Sequence, residues 1–205
     1  KGNVINPLDV IEKYGTDALR LSLSTGNSPG NDIRLSDSKM EASRNFCNKL
    51  WNASRFILGN VEEDSNLEIS KIKLTSEDRW ILSRLNRLIA NVDSLMTDFQ
   101  FGEALRQIHD FVWGEFCDWY IEISKLRLKD KANSPLPVLV HVLDSSLRLL
   151  HPAMPFITEE IWQNLRPLLP GVQAESIMIS SYPKADTGVL DDDIEKQMAI
   201  VIDIV

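Results

Sequence analysis

Between residues 36 and 165 the apolar residues return every three or four positions, over stretches far longer than a strand, and they almost never alternate. That period places apolar side chains on one stripe of an α-helix, and the stripe needs other helices to cover it. Residues 40–58 carry the pattern most clearly. At about 100° per residue, Phe46, Cys47, Leu50, Trp51, Ala53, Ile57 and Leu58 share one side. Asn45, Asn48, Lys49, Asn52, Arg55 and Phe56 share the other.

Start and stop signals divide the rest. Asn6-Pro7 opens a short helix with proline at its first position, where a missing N–H does no harm, and Gly15 ends it. Thr16 is placed to cap a second helix, Asp17 to Ser24, and Thr25 to Asp32 reads as a loop. Ser36 or Asp37 opens the long helix, which Gly59-Asn60 closes, and residues 60–75 form a connector. Thr75 with Asp78 resembles a capping box ahead of a stripe of Trp80, Leu85, Leu88, Ile89, Val92, Leu95, Met96 and Phe99. The next helix runs from Phe101 to about Leu126, and another from Ser134-Pro135 to about Leu150. Thr158 is placed to cap a short helix stapled by Ile157 and Trp162. Ser176 to Tyr182 reads as extended, a short strand or strap, and three aspartates after Leu190 favour the start of a last helix. The expected fold is mainly α: a helical bundle with a short N-terminal helical linker segment and a small C-terminal extended strap.

Composition bounds the function. No apolar run approaches the roughly 18–20 residues that span a bilayer. There is no initiator methionine and no secretory leader, so the sequence reads as a piece of a longer protein. Cys47 and Cys117 sit apart on predicted helices, outside any CxxC pair, which suits two thiols of a reducing cytoplasm better than a zinc site. The net charge of −8 argues against general attraction to nucleic acid. The charge is uneven, however: residues 1–60 hold 8 Lys and Arg against 6 Asp and Glu, and the remainder holds 14 against 24. A nucleic-acid contact therefore belongs in the first third of the chain.

The second face of residues 40–58 has the right chemistry. From Asn45 to Phe56 it carries three amides, two cations and an aromatic ring, with no acid. Amides bond base edges, cations meet phosphates, and a ring offers a surface to an unpaired base, so the face suits single-stranded RNA. Catalytic groups are scarce by comparison. His109, His141 and His151 are scattered, and His109 with Cys117 lacks a third partner. Glu115, Asp118 and Glu122 read as a solvated or salt-bridged helix flank. Gly26 to Gly30 is a turn without the strand-to-helix setting of a phosphate loop.

The opening Lys1-Gly-Asn-Val-Ile-Asn-Pro-Leu-Asp-Val-Ile-Glu-Lys-Tyr-Gly-Thr-Asp-Ala-Leu-Arg20 resembles the segment after the KMSKS loop of class I aminoacyl-tRNA synthetases. Ser28-Pro-Gly-Asn-Asp-Ile-Arg34 and Arg44-Asn-Phe-Cys-Asn-Lys-Leu-Trp-Asn-Ala-Ser-Arg-Phe56 are similar to the valyl branch of that family. So are Phe116-Cys-Asp-Trp-Tyr-Ile-Glu122 and the run from Leu149 to Trp162. Asn6 and Cys47 are mild departures, standing where the family often has Asp and Ala.

The resemblance implies a C-terminal fragment that starts just after the KMSKS loop. Residues 1–35 would be a stem-contact or linker segment, 36–170 an α-helical anticodon-binding domain, and 171–205 the truncated start of a C-terminal junction. It assigns Phe56 as a stacking platform, Asn48, Asn52 and Arg55 as partners of base edges or sugar, and Lys49 as a phosphate or base contact. It implies a cytoplasmic, monomeric parent that uses ATP with Mg²⁺ and joins valine to tRNA(Val) at a catalytic domain lying outside this fragment. The fragment itself would hold no catalytic residue, no metal and no cofactor, and would not touch a membrane. The alternatives are the corresponding domain of an isoleucyl or leucyl enzyme, or a structural bundle that docks a protein.

Overall fold

A computed structural model describes residues 5–25, 35–62, 65, 67–130, 133–169 and 171–204. The helices are α1 (Pro7–Tyr14), α2 (Thr16–Ser24), α3 (Asp37–Leu58), α4 (Ser76–Thr97) and α5 (Phe101–Asp110). A π-helical segment (Phe111–Tyr120) carries α5 straight into α6 (Ile121–Ser124). Then come α7 (Leu136–Leu150), α8 (Pro155–Leu165) and α9 (Asp192–Ile204), with short 3₁₀ turns in the connectors. No strand occurs among the described residues, and no described helix is long and apolar enough to cross a membrane.

Most boundaries follow from local chemistry. The Asn6 side chain accepts from Leu8 N–H at the start of α1, and Ser36 accepts from Lys39 N–H at the start of α3. Thr75 and Asp78 form the capping box of α4. Gly15 stands between α1 and α2 at φ 94°, a left-handed value that suits a residue without Cβ.

Other expectations fail for stated reasons. Thr16 is the first helical residue of α2 rather than its cap. Thr158 lies inside α8, which begins three residues earlier at Pro155, so neither the cap nor the staple forms. The hydroxyl of Thr158 donates instead to the Met154 carbonyl at 2.7 Å. Ser176 to Tyr182 is no strand: Ile177–Ile179 coil into a 3₁₀ turn, and residues 181–186 form no regular element. Phe99 does not join the stripe of α4; it sits in the α4–α5 turn, 76% exposed, at φ 58°. The loop expected to Asp32 lies outside the described residues beyond Thr25.

The core is one contiguous cluster. Phe46, Leu50 and Ile57 of α3 meet Ile81 and Leu85 of α4, Ile108 of α5, Phe116 and Tyr120 of the π segment, Leu139, Leu143 and Leu147 of α7, and Trp162 of α8. Burial of such side chains contributes roughly 1.5–3 kcal/mol each, before the entropy of ordering them. A satellite of Val10, Leu19 and Met40 joins α1 and α2 to α3. Thus α3 packs on three sides and leaves one long face to solvent.

Candidate nucleic-acid interface

The open face of α3 is the polar stripe expected from the periodicity. Asn45, Asn48, Asn52 and Arg55 are exposed along it. Asn48, Asn52 and Arg55 follow at intervals of four and three, so their ends line up over two turns. Arg55 also lies in the last turn, where a cation suits the negative end of the helix dipole.

Two members of the expected set are less free. Phe56 is half-buried, one part of its ring packed on the core, and the Lys125 ammonium lies 5.5 Å from its centroid. Lys125 is in turn paired with Glu122 at 2.6 Å. Lys49 is also half-buried; its ammonium lies 4.0 Å from the centroid of Trp113 and is paired with Asp118. The flank formed by Phe56 and Lys49 therefore faces the π segment and the turn after α6. Trp51 departs from expectation in the other direction. Its period groups it with the core, yet it is 38% exposed, on the flank of the stripe opposite Phe56. At about 100° per residue it lies at the edge of the apolar arc, where core and surface meet.

The structure adds residues that periodicity did not single out. Trp113 stacks on His109 at 5.8 Å and 19°, and on Phe46 at 6.5 Å and 20°. Trp113 lies in the π turns, whose wider winding shifts every later residue off the 3.6 period. Only the carboxylates carried a signal: Glu115, Asp118 and Glu122 pair with Arg84, Lys49 and Lys125. That is the salt-bridged flank expected of them.

His109 lies against Phe46 and Trp113. Cys117 is a buried free thiol pushed up to about 12 by burial. Cys47 is half-buried, free, and raised to about 12 for the same reason. Among the described residues no group of three or more His, Cys, Asp or Glu is placed to hold a metal.

Sequence comparison supplies the lineage. A family model described as the anticodon-binding domain of tRNA ligase matches residues 78–205. A valine–tRNA ligase of Dehalococcoides mccartyi (strain CBDB1) is 56% identical over the whole of this chain. The valine–tRNA ligases of Enterococcus faecalis (strain ATCC 700802 / V583) and Bacillus anthracis are 47% and 45% identical, again over all of it. The chain spans 23% of the length of these relatives. Helix α3 precedes the residues matched by the family model but lies within these alignments.

Among solved structures, the Agrobacterium radiobacter K84 agnB2 LeuRS–tRNA–LeuAMS ternary complex matches with a TM-score of 0.69. It covers 93% of this chain and 22% of that one, at 23% identity, and so speaks for the fold. The matched residues, the bundle and the relatives agree: this chain belongs to the family of anticodon-binding domains of tRNA ligases.

Proposed function

We propose that this chain is the anticodon-reading part of a valine–tRNA ligase and that its reading surface is the open face of α3. The observation that carries the reading is the alignment of exposed Asn48, Asn52 and Arg55 on one face, flanked by Phe56 and Lys49. Amide and guanidinium groups can bond the edges of bases splayed out of the anticodon loop. Phe56 offers the part of its ring not packed on the core to one such base. The acidic remainder of the chain discourages misplaced phosphate backbone and so favours selectivity over general affinity.

The parent enzyme would activate valine with ATP and Mg²⁺ and esterify it to tRNA(Val) in the cytoplasm, as a monomer. The present segment would bind and orient the tRNA while the chemistry proceeds elsewhere. In this reading residues 1–35 link to the catalytic body, 36–170 read the anticodon and 171–205 lead into a C-terminal junction. A valyl rather than leucyl enzyme is favoured by the 56% identity to a valine–tRNA ligase, since the leucyl structure is only 23% identical.

The test is Phe56→Ala in the full-length ligase. Loss of one stacking contact is worth roughly 1–3 kcal/mol, so tRNA binding should weaken about tenfold or more with amino-acid activation unchanged. Charging equal to wild type at subsaturating tRNA overturns the assignment of Phe56. Charging indifferent to the anticodon bases overturns the reading as a whole.

A further inference from the structure

The surroundings of Lys49 decide which part of a nucleotide it can serve. Its ammonium sits 4.0 Å from the centroid of Trp113 and is paired with the Asp118 carboxylate. Trp113 is itself backed by the stack on His109 and on fully buried Phe46. The aromatic ring and the carboxylate both come from the π segment, and the lysine from α3.

An ammonium has three N–H donors and no acceptor. Asp118 takes one donor, and the ring face attracts the charge from another side. A free surface lysine would spend much of its time in other rotamers; this one is held from two directions. Because a carboxylate already stands beside the ammonium, their charges largely cancel at a distance. A phosphate brought to the same place would meet Asp118 as a like charge. A neutral acceptor, such as a carbonyl or ring nitrogen of an unpaired base, meets no such repulsion.

We propose that Asp118 and Trp113 are positioning residues, which hold the Lys49 ammonium so that its remaining N–H reads an acceptor on an unstacked base rather than a phosphate. The inference rests on the assignment of α3 as the anticodon face. It makes specificity at one base depend on two residues of another helix.

The experiment measures binding of full-length ligase to valine tRNA transcripts, with the native anticodon and with each anticodon base replaced in turn, over a salt series. Asp118 is half-exposed, so replacing it leaves the core intact. Asp118→Asn uncovers the ammonium. Discrimination between native and substituted anticodons should fall about tenfold, the loss expected for a displaced hydrogen bond to a charged group. The salt dependence should steepen by about one counterion, because a neutralised charge has been released. Asp118→Glu should restore most of the discrimination. Trp113→Leu should lower discrimination with the salt slope unchanged.

A merely structural role predicts something else: uniform weakening toward all transcripts with no change of slope. That result overturns the proposal, as does an Asp118→Asn protein indistinguishable from wild type. If wild-type ligase itself ignores the anticodon bases, the reading of α3 falls and this inference falls with it. If wild type discriminates and Asp118→Asn does too, only the positioning role is lost.

Discussion

The N-terminus of α8 is closed by a carboxylate 140 residues earlier in the chain. Asp17 of α2 accepts from the backbone N–H of Ile157 at 2.6 Å and of Phe156 at 3.4 Å. One turn further along α2, Arg20 donates to the carbonyls of Ala153 and Pro152 at 3.0 and 3.1 Å. The anion therefore meets the positive end of a helix and the cation meets the carbonyls of the turn before it. Burial raises the Asp17 carboxyl above its ordinary value, against the downward pull of the two N–H groups and Arg20. Asp17→Ala should lower stability by about 1 kcal/mol, the usual cost of a lost cap, read as a lower midpoint in urea. Asp17→Asn should keep most of it, since an amide oxygen still accepts and carries no charge to desolvate. A midpoint unmoved in Asp17→Ala would mean that solvent caps α8 equally well. Local reading could not have found this cap: Thr158 has the right residue type, but the true partner is distant in sequence. The candidate site shows the same limit. Asn48, Asn52 and Arg55 were legible because they lie on the middle of a face, whereas Trp51 and Phe56 lie on its edges, where neighbouring helices decide exposure.

The connection from α5 to α6 is where helical periodicity misleads. Its interior is wound as a π-helix from Phe111 to Tyr120, with more residues per turn than the stripe assumed. The segment runs between α3 and α4, and its side chains face both. Glu115 pairs with Arg84 of α4 at 2.7 Å, while Asp118 pairs with Lys49 of α3. Gly114 stands between Trp113 and Glu115, and a Cβ built there meets nothing within 4 Å. The flanking backbone is ordinary right-handed helix, at φ −63° for Asp110 and −61° for Ile121. Gly114→Ala should therefore raise stability by about 0.5–1 kcal/mol, by restricting the unfolded chain without strain in the folded one. The check is urea unfolding, with tRNA binding unchanged. A fall in the midpoint would show that the wide turns need the freedom of glycine. Long helices with clean stripes were legible at their capped starts, α3 at Ser36 and α4 at Thr75, whereas Phe99 falls past the end of α4 and Trp51 outside the core of α3. The π register was not, because no single residue type announces it.

Carboxylates held between helices link the stability of the bundle to pH. Asp78, fully buried at the start of α4, accepts from the Tyr120 hydroxyl at 2.6 Å, from Arg127 at 2.9 Å and from the Thr75 N–H at 3.0 Å. Glu195 of α9 accepts from Ser83, Arg84 and Arg87 of α4, which ties the last helix to the bundle beside buried Ile194 and Met198. Burial pushes both carboxyls up, but the hydrogen bonds outweigh it and hold each below its ordinary value. A carboxyl lower in the folded than in the unfolded chain adds stability above its unfolded value, and that stability is lost as pH falls through the folded value. The loss should therefore begin as pH drops toward the ordinary carboxylate range near 4 and deepen below it. Asp17, raised in the folded state, works in the opposite sense and gains stability as it is protonated. Urea midpoints from pH 7 down to 3 should fall with a slope that Glu195→Gln makes shallower, because one depressed carboxylate no longer titrates. That variant should start lower at pH 7, and the amides of α9 should exchange faster than those of α3 and α7. An acid limb identical to wild type would show that α9 is held by its apolar contacts alone. The ion pairs along α4 would then be surface decoration on a helix already docked by Ile194 and Met198.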